Sequence, residues 1–201
     1  MKYVRILGLL AVAASALMAF ASTASAATLT SPTGTTYTGT ITATSTHTVL
    51  HGSFTDVTCT HSHMEGTVAK HGASTTVSGP ISTLTFTGGC NVTVKKAGSL
   101  ELHAIKSTTP HETCASGTYC TGTLTSSGAE VVVHTSVGEC VFTTSNTSLG
   151  TVTPTNDTGG AAIFHIAATI PRTGGSFLCG ASGIWTGTYT VSTPSTLWID
   201  E

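Results

Sequence analysis

The densest group of side chains able to do chemistry is Cys59-Thr60-His61-Ser62-His63-Met64-Glu65. If a strand runs unbroken from Val57, then Cys59, His61, His63 and Glu65 project from one face, because alternate residues of a strand share a face. Imidazoles at i and i+2 then stand about 6–7 Å apart. That is close enough to share a Zn²⁺ or Cu²⁺ ion, for which imidazole and carboxylate are suitable ligands. His61, His63 and Glu65 are therefore the candidate metal ligands, and His47, His51 and His71 are near enough in sequence to add another. The competing reading places solvated histidines near a strand end with Cys59 in a disulfide, and it requires no cofactor.

Other chemistries leave fewer traces. The chain has no Gly-x-Ser-x-Gly elbow, no phosphate-cradling glycine loop and no His-Glu-x-x-His helix. Its carboxylates, among them Asp56, Glu65, Glu101, Glu130 and Glu139, are scattered singly rather than paired. No catalytic residue is assigned, and the chain is read as a non-enzyme. Near the C-terminus, Trp185 alternates in phase with Tyr189 and reads as core. Trp198 opposes Leu197 and Ile199, which makes it a candidate for ligand contact or self-association if exposed.

Cysteine usage and the N-terminus point to export. Lys2 and Arg5, the apolar run from Ile6 to Phe20 and the small-residue box Ala24-Ser25-Ala26 make residues 1–26 a secretory signal peptide. Residues 27–201 then form a single domain, with no further span long and apolar enough to cross a membrane. In an oxidising compartment six cysteines imply three disulfides with 15 possible connectivities. A short clasp between Cys114 and Cys120, with Cys59–Cys90 and Cys140–Cys179 closing longer loops, is the pairing adopted here. The segment Ile170-Pro171-Arg172-Thr173-Gly174 resembles a cell-wall sorting signal but lacks the apolar span and basic tail, so it reads as a loop after a strand.

The elements that must position these groups are strands. Of 201 residues 44 are threonine and 22 glycine, a composition that favours strands and tight turns. Leu84 and Phe86 alternate with threonines, as do Trp185, Tyr189 and Val191, while Phe164, Ile166, Ala168 and Ile170 oppose His165, Ala167 and Thr169. Each pattern gives one apolar and one hydroxyl-covered face, which predicts an all-β, disulfide-stapled antiparallel sandwich of about ten strands. Seven Lys+Arg against nine Asp+Glu cannot neutralise a phosphate track, so nucleic acid is not an expected partner.

Several stretches, among them Glu65-Gly66-Thr67-Val68, Ile81-Ser82-Thr83-Leu84-Thr85-Phe86, Thr123 to Val133, Ile170 to Gly180 and Trp185-Thr186-Gly187, resemble a family of exported Thr/Gly-rich, cysteine-containing β proteins of high-GC Gram-positive bacteria. That family carries no activity to transfer. Ser31-Pro32-Thr33-Gly34, followed by strands around spaced cysteines, is similar to the opening of secreted alkane-oxidation-activator-type proteins, which implies an extracellular, surface-active or adhesive role. The leading expectation is a secreted, non-enzymatic adhesive, matrix or shielding component, with itself, cell surfaces, polysaccharides or hydrophobic surfaces as partners. An extracellular metal- or small-ligand-binding module using His61 and His63 is the alternative, and a small secreted hydrolase with a dispersed site the third.

Overall fold

The computed structural model describes residues 27–30, 35–53, 55–71, 76–106, 119–136, 138–155 and 160–200. The signal-peptide assignment and the Cys114–Cys120 pairing involve residues outside these. Strands account for the architecture: β1 (Thr28–Thr30), β2 (Thr40–Ser45), β3 (Thr48–His51), β4 (Asp56–Cys59), β5 (His61–Thr67), β6 (Lys70–His71), β7 (Thr76–Thr87) and β8 (Val92–Lys96). They continue with β9 (Ser99–Lys106), β10 (Tyr119–Ser127), β11 (Glu130–Thr135), β12 (Gly138–Thr143), β13 (Thr147–Thr153), β14 (Ile163–Gly175), β15 (Ser182–Thr193) and β16 (Trp198–Asp200). The alternations read from sequence are the burial alternations. In β14, Phe164, Ile166, Ala168 and Ile170 are buried while His165, Ala167 and Thr169 are exposed.

Eight strands close into a ring, β15-β2-β5-β7-β9-β10-β13-β14 and back to β15, every pairing antiparallel. The expected sandwich of about ten strands is thus corrected to a closed barrel carrying outer strands, with sixteen strands among the described residues. Alternation reports which face of a strand is buried, and that signature is the same in a sandwich and in a barrel. The difference lies in the long strands. β14 and β15, of 13 and 12 residues, each exchange one neighbour midway. β14 pairs with β13 through Ile163–Ile166 and with β12 through Arg172–Gly175. β15 pairs with β3 through Ile184–Gly187 and with β2 from Thr190 to Thr193. From these two strands an outer leaf splays, β4-β3 on one side and β12-β11-β8 on the other.

Two in-strand prolines mark such exchanges, where a missing N–H costs no ladder bond. Pro171 sits in β14 between its β13 and β12 segments, and Pro80 in β7 between its β5 and β6 segments. The segment Ile170 to Gly174 is therefore strand, which corrects the expected loop: Ile170 is buried and Pro171 lies opposite Ser182.

Disulfides Cys59–Cys90 and Cys140–Cys179 span 31 and 39 residues. The first ties the end of β4 to the approach to β8, joining the two ends of the strand path. The second ties β12 to the 3-10 turn Phe177–Cys179 between β14 and β15. The β1–β16 ribbon, held to β10 by the Tyr119–Ile199 pairing, places Leu29, Leu197 and Ile199 against the barrel interior.

Candidate functional site

The β5 segment carries the sequence-predicted metal ligands. Thr60 forms a bend that ends β4, so Cys59 and His61 belong to different strands and Cys59 is buried in its disulfide. Ser62 and Met64 point inward, leaving His61, His63 and Glu65 on the outer face. Their lateral neighbours in register are threonines: Thr44 and Thr85 beside His63, Thr42 and Thr83 beside Glu65, Thr87 beside His61. No three His, Cys, Asp or Glu side chains among the described residues converge into a group able to hold a metal ion. His61 Nδ1 lies 3.1 Å from Thr60 Oγ1, and the Ser82 hydroxyl donates to the Glu65 carboxylate at 3.4 Å. The shared face is real, but the three side chains do not form a joint site.

Histidines, carboxylates and hydroxyls instead meet at hairpins. His51 Nδ1 lies 3.0 Å from Asp56 Oδ2 while its Nε2 lies 3.4 Å from Thr186 Oγ1, on strands β3, β4 and β15. The same array recurs on β11, β12 and β8, where His134 Nδ1 is 3.3 Å from Glu139 Oε1 and Nε2 is 3.3 Å from Thr93 Oγ1. His103 Nε2 pairs with Glu101 Oε1 at 2.8 Å. The scattered carboxylates are thus brought beside histidines by register. A histidine and an acid flanking a hairpin, with four residues between them, is the signal that foreshadows two of these pairs.

The arrays have the connectivity of a proton relay without its setting. The His51 and Asp56 side chains are 44% and 57% exposed, on a sheet face rather than in a cleft. Bulk water at such a surface weakens the electrostatic activation of a nucleophile that a buried triad achieves. The Thr186 hydroxyl also donates to the Val49 carbonyl at 3.5 Å.

The interior offers no chemistry of this kind. Two voids of about 80 and 60 Å³ lie inside, both lined by apolar side chains and separated by Met64, Ile81 and Leu100, which border both. An eight-stranded barrel either fills its interior with side chains or encloses one small ligand, and here side chains take most of the interior and leave these two apolar voids. One polar node is buried at the wall. The Tyr189 hydroxyl sits 2.7 Å from Ser62 Oγ, which donates to the Thr85 carbonyl at 3.1 Å. Trp185 stacks edge-on against both Phe86 and Tyr189. Burial pushes the Tyr189 hydroxyl well above the ordinary phenol range, opposed by the Ser62 hydroxyl and the nearby Trp185 indole.

Trp198 is half-buried, paired in register with Thr30, and its indole nitrogen is enclosed by protein. It lies within the β1–β16 ribbon and is partly buried, so it does not stand out as the exposed platform that the sequence suggested. Among the described residues the exposed aromatic is Phe177, 80% accessible on the 3-10 turn, where the Ser176 hydroxyl accepts from the Leu178 N–H and Cys179 is anchored by its disulfide. Sequence reading missed it because a single Phe in a Gly/Ser stretch has no periodic partner. No protein-family model, curated protein or solved structure matches the chain.

Proposed function

We propose that this chain is an exported, non-enzymatic barrel protein acting at or outside the cell surface as an adhesive, matrix or shielding component. The observation that supports it best is the outer face of the barrel. Thr76, His103, Thr123, Thr151, His165 and Thr188 stand in one register row across six strands, a polar surface of hydroxyls and imidazoles built by repetition. The disulfides suit an oxidising compartment, and no described helix is long and apolar enough to cross a membrane. Exposed Phe177 adds an apolar contact for hydrophobic surfaces. The test is binding of purified protein to whole cells, insoluble polysaccharides and hydrophobic beads. Retention on at least one is expected; a monomer that ignores all three removes the reading.

A small hydrolase is the second reading, favoured by the Asp56–His51–Thr186 array. It requires ester hydrolysis by the wild type that His51→Ala abolishes. Turnover unchanged in that variant rules the array out as its source.

A further inference from the structure

An open groove of about 310 Å³ crosses the outer face of β6, β7, β9 and β10, at the lower end of the size range of small-molecule sites. One register row builds it: Lys70 lies opposite Ser78, Ser78 opposite Glu101, and Glu101 opposite Thr125. Neighbouring members of the row stand about 4.8 Å apart, the spacing of paired strands. Ser127 and Asn146 form the far rim, fixed by the Asn146 N–H donating to Ser127 Oγ at 2.9 Å. Pro80, exposed on β7, gives the floor its apolar part. The groove thus offers donors and acceptors in alternation, one cation and one anion that cancel, and an apolar strip.

We propose that this groove binds a segment of an uncharged polysaccharide. Sugar hydroxyls both donate and accept, as do Ser78 and Thr125, and the C–H face of a sugar ring is matched by Pro80. An anionic glycan is disfavoured because Glu101 offsets Lys70. An extended peptide is disfavoured because β7, β9 and β10 are each paired on both sides along the groove, which leaves only the two-residue β6, paired with β7 alone among the described strands, as an edge for an added strand. The inference rests on the surface-acting reading and supplies its partner class.

The test is amide-resolved NMR titration of the folded wild type with cellohexaose, maltohexaose and xylohexaose, with a heparin hexasaccharide and an extended peptide as controls. At least one neutral hexasaccharide is expected to shift the resonances of Lys70, Ser78, Glu101 and Thr125. The shape-preserving pair Ser78→Ala/Thr125→Val should weaken that binding about fivefold or more, the equivalent of losing roughly one net hydrogen bond. Thr85→Val, outside the groove on β7, should bind as wild type does. The proposal is overturned by no shift with any neutral hexasaccharide at millimolar concentration, by equal binding in the double variant, or by tighter binding of heparin or peptide. Cell-binding assays separate the two levels. Equal retention of wild type and double variant leaves the surface role standing and removes the groove. Absence of retention removes the surface role, while the titration still decides the groove.

Discussion

At the scale of single residues, the chemistry of this protein is set by which face of a strand a side chain occupies. His61 and His63 share an exposed face with Glu65 without converging, so each imidazole is available to a metal separately. Calorimetry with zinc is expected to show weak binding that His61→Ala/His63→Ala changes little; a tight site lost in that variant would mean the three side chains do cooperate. Tyr189 is the opposite case, a polar group on the buried face. Its hydroxyl is held above the ordinary phenol value by burial, so the proton is retained longer in the folded chain than in the unfolded one. Stability from this group is therefore intact below about pH 10, where an unfolded tyrosine begins to ionise, and declines as pH rises further. Tyr189→Phe should cost about 1 kcal/mol at neutral pH, since Ser62 keeps its bond to Thr85 O. It should also flatten the alkaline fall in thermal midpoint, and an unchanged alkaline fall would exclude Tyr189 as its cause.

At the scale of elements, the strand faces were legible and the strand partners were not. Phe164, Ile166, Ala168 and Ile170 are recognisable as one buried row from sequence spacing. Nothing local in that spacing reveals that β14 leaves β13 for β12 beyond Ile166, because pairing depends on residues far away in the chain. The same gap hid the groove row, since Lys70, Ser78, Glu101 and Thr125 are joined only by three successive registers. The histidine–carboxylate pairs are local by contrast: His134 and Glu139 flank one hairpin, and its register sets them opposite each other. Where elements exchange partners, covalent ties carry weight. Cys140–Cys179 closes a span of 39 residues that includes β13 and β14. Cys140→Ala/Cys179→Ala should lower unfolding free energy by about 4 kcal/mol on chain-entropy grounds, read as a drop in denaturant midpoint. A loss under about 1 kcal/mol would show that the strand ladders hold the turn unaided.

At the scale of the whole molecule, the barrel interior is divided by a few side chains. Met64 borders both internal voids and is itself buried. Met64→Ala should join them, cost about 2–5 kcal/mol and create a dry apolar chamber of the kind that takes up benzene or xenon. Xenon-induced shifts in the variant on both sides of residue 64 are the expected result. Shifts confined to one side would mean that Ile81 and Leu100 suffice as a partition. The ends of the described chain meet outside this interior, where Thr28 pairs with Asp200 and Thr30 with Trp198 in an antiparallel ribbon. Both chain ends leave that ribbon from the same side, so tension between residues 27 and 200 loads its rungs in sequence, as a zipper is loaded, rather than in shear. Leu29, Leu197 and Ile199 would then withdraw from the barrel while its wall is still closed, and the plug would yield to force before the ring does.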